Sequence, residues 1–330
     1  MLEHGGRLRE AAAHYNIPLD NWLDLSTGIN PEAWPVPPLP ASVWQRLPES
    51  NDGLEAAAAA YYGNSNLLPV AGSQAAIQLL PHLLPRAVVA CLSPIYAEHP
   101  QAWQRAGHRL RFLQNAMLPR ALGAATPYVL LCNPNNPTAE RHPYEIAVDA
   151  AKQLKKRGGW LIVDEAFMDP TPEDSLAPLA GTDEASNLIV LRSLGKFFGL
   201  AGARVGFVFA APDILHRMAD LMGPWTVAGP AREVARLALQ DTAWQATMRQ
   251  QLLSASGRLQ QLLAPLGEVK TTALFAALST GENLELHEHF AQRGILVRRF
   301  EQQPLLRFGL PGQENAWQRL SEAVHDWKKQ

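Results

Sequence analysis

Cysteine is scarce: the 330 residues hold two, Cys91 and Cys132. Each closes an apolar run, "RAVVAC" and "YVLLC". Both therefore read as buried strand residues in a reducing compartment rather than as a disulfide scaffold. Excess charge of one sign is missing too. Lys plus Arg number 29 against 31 Asp plus Glu, a formal net charge of −2, which provides no basic field for a nucleic-acid partner. No window reaches the roughly 18 uninterrupted apolar residues of a membrane span. The opening "MLEHGGRLREAAAHY" is charged and lacks the apolar core of a secretion signal. A soluble protein of the cytoplasm is the expectation. Metal-ligand spacing is absent as well. In "LHEHF" (residues 286–290) the histidines stand at i, i+2, which face different ways on a helix, so a solvated face and no metal site are expected.

Apolar material is plentiful. Hydrophobic residues make up 47% of the chain, enough for a sizeable core. Apolar runs of strand length alternate with helical patterns: "RAVVACL", "RLRFL", "TPYVLLCNP", "GWLIVDEAF", "NLIVLRSL" and "RVGFVFA". Between the third and fourth, Ile146, Val148, Ala151 and Leu154 recur at helical spacing. Strands apolar throughout, alternating with helices, predict an α/β fold with a parallel or mixed sheet covered on both faces. "PEAWPVPPLP" (residues 31–40) predicts an irregular connector. Beyond Pro230 a long amphipathic stretch, broken near Thr242, leads into a smaller α+β pattern. The expected domains are residues 30–228, and a smaller one built from 1–29 and 229–330.

Ligands bind α/β sheets at the carboxyl ends of the strands, and three such ends carry polar groups. "LLCNPNNPT" makes a stiff turn with asparagine amides, structural or functional. "LIVDEAF" leaves Asp164 at a buried strand end, where a carboxylate needs a positive or proton-donating partner. A helix cap or salt bridge would serve equally. "SLGKFFGLAGARVGF" (residues 193–207) sets Lys196 and Arg204 among Gly, Phe and Leu. A lysine held out of water can attack a carbonyl, and Ser193 with Arg204 can hold a phosphate. Singly, each has a bland alternative. Together, asparagine, aspartate and lysine on successive strand ends are the parts that hold pyridoxal 5′-phosphate (PLP).

"NNPT", "VDEAF" and "SLGKFFGLAGARVGF" resemble the fold-type I PLP enzymes of the class I/II aminotransferase group, and the resemblance extends over nearly the whole chain. It implies a large domain with a mostly parallel seven-stranded sheet plus a smaller α+β domain. It implies Lys196 as the catalytic, Schiff-base lysine, Asp164 on the pyridine nitrogen and Asn136 on the ring hydroxyl. Ser193 and Arg204 go to the cofactor phosphate, with Ser73 and Gln74 of "AGSQAAI", and Tyr96 of "SPIYAEH" stacks on the ring. Arg307 of "LLRFGL" matches the arginine that grips the substrate carboxylate.

The N-terminal "HGG" and "WLDLSTGINP" resemble the branch of this family that decarboxylates L-threonine O-3-phosphate for cobalamin biosynthesis, and its relatives that transaminate histidinol phosphate. That resemblance implies His4, Gly28, Asn136, Arg298 and Arg307 as substrate contacts, with Arg298 on the substrate phosphate, and a homodimer. Decarboxylation is the preferred reading. A histidinol-phosphate-type aminotransferase and a non-catalytic PLP-fold binding protein are the alternatives. Three positions depart from many relatives: Phe167 and Leu47 stand where tyrosines are usual, and Ala139 where glycine is.

Overall fold

The computed structural model describes residues 4–124 and 126–327. They form two compact units. The larger lies within Trp34–Asn136 and Glu140–Ala246, the smaller within Met1–Ala33, Pro137–Ala139 and Thr247–Gln330.

The larger unit is built on a seven-stranded sheet. Its spatial order is Leu67–Val70, Gly206–Phe209, Leu188–Ser193, Trp160–Asp164, Tyr128–Cys132, Val88–Ser93 and Arg109–Gln114. The last five of these run parallel. Gly206–Phe209 is antiparallel to both its neighbours, so the sheet is mostly parallel, as the resemblance implies. The central strands are buried along nearly their whole length, because crossover helices cover both faces. Cys91 and Cys132 are buried free thiols within them. Arg109–Gln114 is an edge strand and alternates toward solvent. One face packs Val70, Ile77, Leu80, Val89, Trp103, Leu130 and Ile189 into a continuous core.

The helix Tyr144–Lys155 forms as its spacing predicts, but it buries a different stripe. Ala147, Ala150, Ala151 and Leu154 face inward, whereas Ile146 is 49% exposed. The buried set is i, i+3, i+4, i+7, and the small alanines allow the helix to lie close to the sheet. The break near Thr242 occurs at Asp241, between helices Gly229–Gln240 and Thr242–Leu263. Its carboxylate accepts the Trp244 N–H (3.0 Å) and caps the second helix, and accepts Trp34 Nε1–H (3.0 Å) from the Pro-rich connector.

Arg232 on the first of those helices clasps Asp52 (2.5 and 2.7 Å) and Glu55 (2.7 Å). Burial opposes ionisation of Asp52, but the Arg232 guanidinium and the Leu54 N–H outweigh it and hold its pKa below the ordinary value. A depressed folded-state pKa means stability present above the unfolded value and lost as pH falls through the folded one. The protein therefore loses stability below about pH 4, where an unfolded aspartate begins to bind protons. Asp52→Asn flattens that slope in urea titrations at pH 3–5. An unchanged slope would refute the assignment.

The smaller unit has an antiparallel sheet in the order Arg298–Phe300, Leu305–Gly309, Phe275–Ser279, Glu268–Thr271. Helices Leu8–Tyr15, Asn283–Ala291 and Glu314–Trp327 belong to it. Leu23–Asp24 pairs in parallel with Ile295–Leu296 and ties the N-terminal segment to the C-terminal one. Ala139 adopts φ 61°, a left-handed conformation that explains why glycine is usual there. Glycine avoids the Cβ penalty of about 1–2 kcal/mol but loses more entropy on folding, so Ala139→Gly should stabilise the fold by about 0.5–1 kcal/mol in denaturant titrations.

Among the described residues no helix is long and apolar enough to cross a membrane.

Candidate active site

Strand Leu67–Val70 turns at Gly72, φ 72° and ψ 156°, into helix Ser73–Leu83. No side chain caps that helix, so its first N–H groups are available to an anion. Two glycines allow a close approach here. A Cβ on Gly72 would stand 2.5 Å from Arg204 Nη2, and one on Gly206 would stand 2.6 Å from the Ser73 nitrogen. Gly206 is the sheet partner of Ser193. Ser73, Ser193 and Arg204, 131 residues apart at the extremes by their numbering, thus converge on one cradle. Arg204 itself is left-handed at φ 53° and donates from Nη1 to the Ala201 carbonyl (3.1 Å). Gln74 lies in the same first turn, and its side chain donates to Glu98 Oε2 (2.8 Å).

Asp164 ends strand Trp160–Asp164 and is buried. His99 Nε2 lies 2.7 Å from its Oδ2, the geometry of an N–H donated to a carboxylate, and the Ala166 N–H donates to Oδ1 (2.9 Å). His99 was not among the residues expected from the sequence. It sits in helix Glu98–Arg105, one turn beyond Tyr96, whose ring it meets edge-on at 6.1 Å. Cys132, His99 and Asp164 bring a thiol, an imidazole and a carboxylate within 4.8 Å of one another. Burial, with the Asp164 charge adding to it, pushes the Cys132 thiol well above its usual pKa. His99 is the member of this trio that mounts Asp164.

Lys196 is half-buried on the turn after Ser193, its Nζ 5.3 Å from the centroid of the Phe167 ring. Phe167 is buried and offers no hydroxyl. Asn136 is half-buried, while its neighbour Asn135 is wholly buried and donates from Nδ2 to the Pro94 carbonyl (2.9 Å). That bond anchors the Asn-Pro turn to the loop carrying Tyr96.

A buried ionic group lies behind these strand ends. Arg192, adjacent to Ser193, donates to Glu165 (2.8 Å), adjacent to Asp164, and to Asp169 (2.6 Å). Arg192 is 1% exposed, and both carboxylates are fully buried. Ser175 Oγ–H (2.5 Å) and the Leu176 N–H (2.7 Å) also donate to Glu165, and Arg192 lies 4.9 Å above the Tyr62 ring. Burial alone would lower the Arg192 pKa, but Asp169 and Glu165 outweigh it and raise it, so the guanidinium stays charged. The group clamps the strand ends that present Asp164 and Ser193.

Of the residues implied for the substrate, His4, Gly28, Arg298 and Arg307 lie in the smaller unit and Asn136 in the larger. Arg307 is buried, donates from Nη2 to the Ser26 carbonyl (2.8 Å), and lies over the rings of Phe275 (5.4 Å) and Phe300 (5.9 Å). Arg298 is its cross-strand partner, 5.3 Å over Phe300. Gly28 is buried just beyond Ser26. His4 and Arg298 line one cavity of about 210 Å3. "LHEHF" departs from its expected solvated face: His287 lines that same cavity, and His289 is buried with Nε2 bonded to the Ala323 carbonyl (2.8 Å).

The larger unit fits PLP on its own terms. An uncapped helix start, a guanidinium and a hydroxyl suit the phosphate. A buried carboxylate held by a histidine suits a protonated ring nitrogen, and a half-buried lysine suits the aldehyde.

Comparison with known proteins agrees. Residues 45–326 match the model for aminotransferase class I and II. The chain is 51% identical over 332 residues to the threonine-phosphate decarboxylase of Pseudomonas aeruginosa, covering 100% of this chain and 99% of that one. It is 40% identical to the threonine-phosphate decarboxylase of a Sinorhizobium species, covering 98% and 97%. The solved histidinol-phosphate aminotransferase of Sinorhizobium meliloti in complex with pyridoxal-5′-phosphate shares the fold, with a TM-score of 0.81 at 19% identity, covering 99% and 96%.

Proposed function

The chain belongs to the aminotransferase class I and II family, and we propose that it decarboxylates L-threonine O-3-phosphate to (R)-1-amino-2-propanol O-2-phosphate. The observation that carries this reading is likeness from end to end to two threonine-phosphate decarboxylases, joined to an intact set of Lys196, Asp164 and Arg204. PLP, once bound, supplies an electron sink for the pair released when a bond at the substrate Cα breaks.

The protein's own groups set up that cleavage. Asp164, oriented by His99 and the Ala166 N–H, holds the pyridine nitrogen protonated. Ser73, Ser193, Arg204 and the start of helix Ser73–Leu83 hold the cofactor phosphate, with the first-turn residue Gln74. Tyr96 would pack on the ring and Asn136 would bond its hydroxyl. The Lys196 amine would hold the aldehyde and, with the substrate amine in its place there, would be the acid that returns a proton to the substrate Cα where CO2 has left. Which bond at the substrate Cα breaks would depend on how the protein's own groups hold the substrate. Arg307 would grip the carboxylate, and Gly28 and Asn136 are the further substrate contacts that the family resemblance implies. Arg298 and His4 hold the substrate phosphate, so binding energy far from the reacting bond orients it.

The same reading makes the protein a cytoplasmic homodimer. Trp44 (69% exposed) and Leu47 (64% exposed) offer an apolar surface that a second copy of the chain would cover. Sedimentation at micromolar concentration should give twice the chain mass.

Incubating the purified protein with PLP and L-threonine O-3-phosphate should release CO2 and the amino-alcohol phosphate in equal amounts. No CO2, with glutamate formed from 2-oxoglutarate and histidinol phosphate, would overturn the reading.

A further inference from the structure

The cavity of about 210 Å3 in the smaller unit is bordered by three guanidiniums, Arg7, Arg298 and Arg299, and by His4 and His287; Arg7 pairs with Glu10 (3.3 Å) and Arg299 with Glu301 (3.0 Å), so the guanidiniums outnumber these carboxylates by one. That excess of positive charge suits a dianion, and its size admits a phosphate group with several waters, each taking about 30 Å3. His287 stands out among the lining groups. Its Nδ1 is shielded from solvent and makes no hydrogen bond among the described residues. Glu288 Oε1 lies 3.7 Å away, beyond hydrogen-bonding distance, and both oxygens of that carboxylate accept the Tyr15 hydroxyl (2.9 Å).

We propose that His287 is a further phosphate-binding residue of this cavity, taking up a proton from solvent as the substrate's phosphate monoester docks. The proposal rests on the functional reading above for the identity of the substrate, and on the cavity for the phosphate. In the free protein, His287 faces Arg298 and Arg299 on the adjacent strand, Glu301 beyond it, Glu288 and Tyr15 behind it, and His4 and Arg7 from the N-terminal segment. Arg319, on the helix packed against its own, is bonded to the carbonyls of Asn21, Arg293 and Gly294. Burial, with Arg299 and Arg298 adding to it and Glu288 opposing, holds the His287 pKa below the usual histidine value. The ring is therefore neutral at neutral pH. A bound dianion reverses the local sign of charge and favours imidazolium, whose two N–H groups both donate. The histidine then distinguishes a phosphate dianion from a singly charged carboxylate, because the second negative charge favours the added proton more strongly.

The test uses the PLP-loaded protein and isopropyl phosphate, a monoester without the amine or carboxylate that the chemistry needs. Calorimetry at pH 7.5 in buffers of different ionisation enthalpy should show about half a proton or more taken up per site. His287→Gln should weaken binding about tenfold, the loss of one charge-assisted hydrogen bond, and abolish the uptake. His287→Lys, already charged, should restore binding without uptake. Uptake persisting in His287→Gln, or affinity unchanged in that variant, would overturn the proposal. CO2 release by the wild-type protein is read separately: its absence would sink the decarboxylase reading and leave the phosphate result standing.

Discussion

Lys196→Ala should lower CO2 release from L-threonine O-3-phosphate by about 10⁴-fold, since one side chain supplies both the covalent attachment and the proton transfer. The visible absorption conferred by covalently held PLP should vanish with it. Retention of PLP should fall less steeply, because the helix start, Ser193 and Arg204 remain. The fold should hold: Lys196 is half-buried, and its contact with the Phe167 ring contributes about 0.5–1 kcal/mol. Spectrophotometry, a CO2 assay and a denaturant titration on one sample separate these outcomes. Persistence of the absorption band in the variant would remove Lys196 from its role.

Arg192→Leu should be the most damaging change away from the cofactor. It leaves Glu165 and Asp169 buried and facing each other without their shared cation. Removing one member of such a group costs about 3–5 kcal/mol, against a total stability on the order of 5–15 kcal/mol. The triple variant R192L/E165Q/D169N should recover much of that loss by removing the stranded charges, so the energies should be strongly non-additive. Urea titrations read this as a shift in midpoint at constant slope. A loss below about 1 kcal/mol for R192L would show that the group contributes little. Because Arg192 and Glu165 adjoin Ser193 and Asp164, R192L should also weaken PLP retention in whatever fraction stays folded.

The comparison of sequence with structure turns on the range of each interaction. Asp164, Lys196 and Asn136 could be found because each follows an apolar run within a few residues, and a strand end is a local pattern. The break near Thr242 was legible for the same reason, since a helix cap is written in adjacent residues, whereas the start of helix Ser73–Leu83 came from the family resemblance. His99 was not legible, since its partner Asp164 lies 65 positions away and nothing around it differs from an ordinary helical histidine. The Arg192 group likewise joins residues 23 and 27 positions apart. In helix Tyr144–Lys155 the apolar spacing predicted a helix but not its inward stripe, which the flat surface of the sheet selects in favour of alanine.

By itself, then, the sequence determined the alternation of strands and helices, the family and the chemistry at the strand ends. Periodicity, turn residues and short motifs act over one or two turns of chain. Tertiary structure alone decided which charges lose their water and which partners meet them there. It set His99 behind Asp164, enclosed Arg192 between two carboxylates, and turned His287 from an expected solvent-facing residue into the wall of a cationic cavity. Desolvation depends on everything packed around a group, and that neighbourhood is assembled from segments far apart in the chain.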